Sequence, residues 1–235
     1  MKQTLIILFA LVTVLFNSGC QAVAQNKSKK SKSISEGIEW SNTWMVTTNK
    51  HDLPRVLIIG DSHVERYYQV VTNKLNKIAY CNKFTTSRSL GDPALIAQLK
   101  ALFFSYQFDV ITFNNGLHGV AYSDEQYSRD IPAVYKLFKK SNPGLKLIWV
   151  NTTPRRIGGK RPDFDQHNQG VINRNKAVEA FTSAKNIPLV DFYTPSSTNL
   201  DFFDTDGIHF SKLGVEEQAK MVTSEILKAL ETSGK

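Results

Sequence analysis

From Arg55 onward, short unbroken apolar runs alternate with longer stretches whose apolar positions recur every three or four residues. The runs are Val56–Ile59, Ile78–Phe84, Val110–Phe113, Lys146–Val150 and Pro188–Val190. The helical patterns fall at roughly 64–77, 93–105, 124–140, 167–185 and 212–231. A continuous apolar run suits a strand buried on both faces, and helices between such strands imply a parallel sheet with both faces covered. Five such units predict an α/β fold, a three-layer α/β/α sandwich around a flavodoxin-like five-stranded parallel sheet. Ligands of open α/β sheets collect beyond the carboxyl ends of the strands, so the loops after each strand are where chemistry is to be sought.

The first fifty residues follow another pattern. Lys2 precedes a nearly unbroken apolar stretch from Leu5 to Phe16, shorter than the ~20 residues that span a bilayer. Ala22-Val23-Ala24 then supplies the small-x-small pattern of a cleavage site. Residues 1–24 are read as a secretory signal, with a retained membrane anchor as the alternative. Gly19-Cys20 opens a further possibility, lipidation of Cys20 and a membrane tether, although Asn17 stands where such signals carry an aliphatic residue. Residues 25–50 are read as a basic tether and a lead-in segment, and 51–235 as the folded domain. The chain is expected to be exported, to the periplasm or beyond. Cys81 is the only other cysteine, so no intrachain disulfide is expected and its thiol is expected to be buried.

The formal charge of +8 changes little in this picture. Lys2, Lys27, Lys29, Lys30 and Lys32 all precede the first acid, Glu36, which leaves +3 for the rest of the chain. The excess belongs to a solvated tether, and no nucleic-acid partner is expected. A second basic stretch lies in the domain itself. Thr152 to Gln166 carries Arg155, Arg156, Lys160 and Arg161 among prolines and glycines, without any period. It follows the fourth strand, so Arg155 and Arg156 are candidates for substrate contact, the alternative being a solvated crossover loop.

Candidate chemistry sits at the strand ends. Gly60-Asp61-Ser62-His63 follows the first strand and places Ser62 at the start of a helix, as a nucleophile or merely as a cap. Far along the chain, Asp204-Thr205-Asp206-Gly207-Ile208-His209 offers a base, His209, with Asp206 preferred over Asp204 to orient it. After the third strand come Asn114 and Asn115, amides suited to a negative oxygen, and after the second comes Gly91 with a backbone N–H. His63 and His118 are expected to border the pocket. No metal-ligand spacing links them, and no metal is expected.

Taken together, Gly60-Asp61-Ser62, Gly91, Asn115 and Asp206-x-x-His209 resemble, in order, the four blocks of the SGNH/GDSL hydrolases, among them carbohydrate acetylesterases. The resemblance spans roughly 55–230. It implies Ser62 as nucleophile, His209 as base and Asp206 as its orienter. The implied oxyanion hole comprises the backbone N–H groups of Ser62 and Gly91 with the Asn115 amide, and no cofactor is implied. The third block departs from the family's Gly-x-Asn-Asp, with Phe113 and Gly116 at its ends, which leaves Asn114 as a rival donor and possible substrate contact. The expectation is an exported serine esterase removing small acyl groups, acetyl foremost, from carbohydrate. The alternatives are a lysophospholipase or thioesterase, a sugar O-acyltransferase and a non-catalytic glycan-binding module.

Overall fold

The sheet has six strands in the order β1-β3-β2-β4-β5-β6. The computed structural model describes residues 33–231, so the proposed signal at 1–24, Cys20 and the first part of the tether lie outside the described residues. Five strands run parallel: β2 (Arg55–Gly60), β3 (Tyr80–Thr86), β4 (Val110–Asn114), β5 (Lys146–Val150) and β6 (Leu189–Val190). The sixth, β1 (Ser41–Trp44), comes from the lead-in segment and pairs antiparallel with β3, Ser41 opposite Thr86. All four of its residues are exposed, so it has no buried face to give an apolar alternation, and the periodic reading passes over it.

Period-two alternation within the strands divides the core. Leu57, Ile59, Ile111, Phe113 and Trp149 face one layer, built on α2 (Pro93–Ser105), α3 (Asp124–Ser141) and α4 (Asn168–Lys185). Val56, Ile58, Val110, Ile148 and Val150 face the other, α1 (Ser62–Lys74) and α6 (Lys212–Glu231). A short α5 (Tyr193–Thr198) and one 3₁₀ turn at Leu200–Phe202 lead into the last loop. Cys81 is buried and unpaired in the second layer, where desolvation pushes its thiol up to about 12.

Helix starts are written locally. Asp61, Asp92 and Ser123 each cap a first turn through the side chain, and Pro93 takes the first position of α2. The expected second strand slides two residues, from 78–84 to 80–86, because Ile78 belongs to the turn that closes α1. Its N–H bonds Leu75 O at 2.9 Å while Lys77 takes a left-handed φ of 62°. From β2 the chain steps to β3 on one side and later to β4 on the other. That reversal makes the crevice between β2 and β4 the topological switch point.

Candidate active site

Ser62 stands at this switch point. A Cβ on Gly60 would lie 2.4 Å from Val64 Cγ2, so only glycine lets α1 rise directly off the end of β2. Asp61, nearly fully buried, accepts the His63 N–H at 3.0 Å and fixes the first turn. The Ser62 hydroxyl then meets a second element from far along the chain. His209 Nε2 lies 2.8 Å from Ser62 Oγ, and His209 Nδ1 lies 2.6 Å from Asp206 Oδ2. Asp206 Oδ1 accepts the N–H groups of Ile208 (2.9 Å) and His209 (2.8 Å). Partial burial pushes the Asp206 carboxyl up. The hydrogen bonds from the His209 ring and from the two N–H groups outweigh it and hold the carboxyl down at about 2. An ionised Asp206 accepts a proton-bearing Nδ1, which leaves the Nε2 lone pair facing the serine hydroxyl. Asp204 is turned elsewhere: it accepts from the Thr205 N–H and from Arg66.

The turn that carries Asp206 and His209 is clamped from two sides. Arg66, one helical turn beyond Ser62 on α1, donates to Phe210 O at 3.0 Å and to Asp204 at 3.2 Å. On the other side the basic loop after β5 donates from the Arg156 N–H to Gly207 O (2.8 Å) and from the Gly159 N–H to Thr205 O (2.7 Å). Gly207 has φ +76°, and a Cβ there would meet Arg156 O at 2.5 Å. The loop expected to touch substrate is thus the bed of the turn that carries Asp206 and His209. Arg156, read as a substrate contact, is instead buried. Its guanidinium bonds the carbonyls of Pro162, Ser196 and Ser197 and lies over the rings of Phe164 and Phe203. Arg155 pairs with Asp165 at 2.9 Å and lines an open cavity with Gly116 and His167.

His63 does not border open space either. It is buried, with Nε2 3.2 Å from Thr153 Oγ1, Nδ1 3.4 Å from Gln218 Nε2, and its ring 5.9 Å from that of His209. Desolvation lowers its basicity, against the pull of the Asp61 carboxylate. It backs the His209 ring and packs edge-on to Phe210.

The two asparagines are separated by strand register. Asn114 donates both amide hydrogens to carbonyls at the end of β5 and just beyond it, Val150 O (3.1 Å) and Asn151 O (2.9 Å), so it has no amide hydrogen to spare for an oxyanion. Asn115 bridges the neighbouring loops. Its Oδ1 accepts the Leu90 N–H at 2.8 Å and its Nδ2 donates to Arg88 O at 2.9 Å, with one amide hydrogen left over. That bridge ties Asn115 to the residue before Gly91. Gly91 itself is closely approached by side chains, since a Cβ there would meet Asp130 Oδ2 at 2.9 Å. Among the described residues the backbone N–H groups of Ser62 and Gly91 have no acceptor.

Arg174 on α4 is the residue that the motifs do not show. It is 4% exposed and donates to four carbonyls of the loop after β4: Gly116 (3.0 Å), His118 (2.8 Å), Gly119 (2.9 Å) and Tyr122 (3.1 Å). Its guanidinium lies over Tyr127, whose hydroxyl donates to Asn115 O. Glu36, from the lead-in, holds the outer side of the same loop through the His118 ring (2.8 Å) and the Gly119 N–H (2.6 Å). His118 is therefore engaged with the chain's own N-terminal segment. Among the described residues no three His, Cys, Asp or Glu side chains are grouped to hold a metal ion.

No protein-family model and no curated protein matches the chain. Solved structures do. An acetyl xylan esterase is similar over 73% of this chain and 99% of its own, with TM-score 0.61 and 14% identity. The fold is that of the SGNH hydrolases. A GDSL-like lipase from Bacteroides thetaiotaomicron covers 77% of this chain and 89% of its own at TM-score 0.59 and 18% identity. A carbohydrate esterase of family 3 from Talaromyces cellulolyticus covers 77% and 99% at TM-score 0.60 and 13% identity. At such identities the likeness is one of fold. On the SGNH fold of this chain, Ser62, Gly91 and Asn115 follow β2, β3 and β4, and His209 reaches them from the loop before α6.

Proposed function

We propose that the protein is a serine esterase that removes small acyl groups, acetyl foremost, from carbohydrate. The observation that carries the reading is the unbroken chain Asp206–His209–Ser62, at 2.6 and 2.8 Å, at the sheet's switch point. Serine is a weak nucleophile until a base is within hydrogen-bond reach and a third group orients that base. In this reading Ser62 Oγ attacks the ester carbonyl carbon as its proton passes to His209 Nε2. The carbonyl oxygen takes the negative charge and is met by the N–H groups of Ser62 and Gly91 and the spare Asn115 amide hydrogen. Asp206 stays ionised and stabilises the imidazolium. The ester C–O bond then breaks, and the departing alkoxide takes the proton from His209. Water, deprotonated by the same imidazole, releases the acid from the acyl-enzyme.

Carbohydrate is favoured by two fold neighbours, an acetyl xylan esterase and a family 3 carbohydrate esterase. The polar loops around the site agree with it. The decisive experiment is acetate release from a panel of acetylated glycans, in wild type and Ser62→Ala. Loss of the nucleophile is expected to lower turnover by ~10⁶. Release that persists unchanged in Ser62→Ala sinks the mechanism. Release only from long-chain nitrophenyl esters points to a lipid hydrolase instead. Export is part of the same proposal, and the mass of the mature N-terminus distinguishes cleavage after Ala24 from lipidation at Cys20.

A further inference from the structure

One strand over from Ser62, the loops after β4 and β5 enclose a second space. Gly116, which directly follows Asn115 and packs against Thr152, marks its inner end, so this space adjoins the loop that carries the amide nearest Gly91. From Gly116 a cavity of about 290 Å³ opens between the first turns of α3 and α4. That volume lies at the small end of ligand pockets, which run from ~300 Å³ upward. Val120 and Val171 give it an apolar side, and Ser123, Gln166 and His167 a polar one.

Its two cations carry little free charge. Arg155 is paired with Asp165 at 2.9 Å, and Arg174, already shared among four carbonyls, faces Asp124 at 3.5 Å. An anion would find no unpaired cation among these lining groups, and an acyl chain no continuous apolar channel.

Gly170 supplies the independent observation. It sits in the first turn of α4 with no left-handed backbone, so the backbone conformation there does not call for glycine. At Gly60 and Gly207 the chain's own atoms fill the space a side chain would need. At Gly170 they do not: among the described residues a Cβ would meet only Asp124 Oδ1, at an ordinary contact distance of 3.9 Å, and both residues line the cavity. Among the described residues nothing else comes within 4 Å, so a larger side chain there would take up room in the cavity.

We infer that this cavity is a subsite for one neutral sugar ring of the ester substrate, an inference that rests on the esterase reading above. A pyranose offers an apolar C–H face toward Val120 and Val171 and hydroxyls toward Gln166 and His167, while its ester reaches Ser62 one strand away.

The test is Gly170→Leu, a helix-favouring side chain that fills the cavity without touching Ser62, His209 or Asp206. Hydrolysis of 4-nitrophenyl acetate, too small to reach the subsite, is expected to stay within about twofold of wild type. KM for acetylated xylo-, cello-, manno- and chito-oligosaccharides is expected to rise at least about tenfold for those that wild type accepts. In a second arm, the deacetylated oligosaccharides are titrated calorimetrically into Ser62→Ala and into Ser62→Ala/Gly170→Leu. Binding to the first and not to the second supports the subsite. Equal binding to both, binding of none of the four, or binding only of an anionic oligosaccharide overturns it. If wild type cleaves no ester, the esterase reading fails, and the calorimetric arm still decides the subsite.

Discussion

Replacing Arg174 by Met puts the loop after β4, and the oxyanion role proposed for its Asn115, to the test. The guanidinium is buried and satisfies four backbone carbonyls between Gly116 and Tyr122, and methionine fills most of the volume while donating nothing. Each orphaned buried acceptor costs ~1–3 kcal/mol, and the loop relieves part of this by opening toward water, so we place the loss at about 4 kcal/mol. For a domain of this size that corresponds to a fall in Tm of about 8–16 °C. The loop also carries Asn115, whose carbonyl is held by Tyr127 and Thr152 and whose amide is held by the 88–90 loop. Releasing it removes one preorganised donor, so kcat on 4-nitrophenyl acetate is expected to drop by ~10² with KM little changed. Arg174→Lys, which reaches some of the carbonyls, is expected to fall between. Thermal unfolding by circular dichroism and steady-state kinetics on the same preparations supply both numbers. A Met variant that melts within about 2 °C of wild type and keeps its kcat would show that Arg174 neither supports the loop nor positions Asn115.

Further outcomes follow from the same geometry. Asp206→Asn keeps the shape but removes the charge that fixes the His209 tautomer, and kcat is expected to fall by ~10²–10⁴ in a steady-state assay. Because Asp206 is held down at about 2, its ionisation adds stability above the ordinary carboxylate range that is lost only as pH falls through about 2. Protonation of Asp206 therefore does not set the acid limb of kcat/KM above the ordinary carboxylate range. His63, buried and less basic than usual, is expected to cost stability as pH drops below about 6.5, where the unfolded chain takes up a proton that the native chain resists. Melting curves from pH 8 to pH 5 should show a smaller loss in His63→Gln, and an identical slope would refute this. Gly207→Ala sets a Cβ 2.5 Å from Arg156 O at a left-handed φ, so destabilisation of ~1–3 kcal/mol is expected. Its kcat should fall through displacement of His209.

Much of this architecture was legible in the sequence, because β2, β4 and β5 are buried on both faces and advertise themselves as unbroken apolar runs. β1 was not: it is short, exposed and held by backbone pairing that any sequence can offer. The site residues were legible as motifs, yet their partners were not. Arg155 and Arg156 read alike as basic loop residues, and only three dimensions show that Arg156 is absorbed by carbonyls and two aromatic rings. Backbone carbonyls carry no side-chain signature. One signal for Arg174 was present and went unused. It lies on the stripe Val171, Arg174, Val178, Thr182, all buried, where a charge at helical spacing demands a buried partner. Asn114 and Asn115 show the limit in another way: one ends β4 and the other opens the loop after it, and the partners of each are set by elements distant in sequence.

The central claim is that Ser62, activated by His209, forms a covalent acyl-enzyme. Its most direct measurement is intact-protein and peptide mass spectrometry after treatment with a fluorophosphonate at neutral pH. We predict one adduct per chain, on the peptide that contains Ser62, absent in Ser62→Ala and strongly slowed in His209→Ala. An adduct on another residue, or none from a preparation that still cleaves esters, would contradict the account.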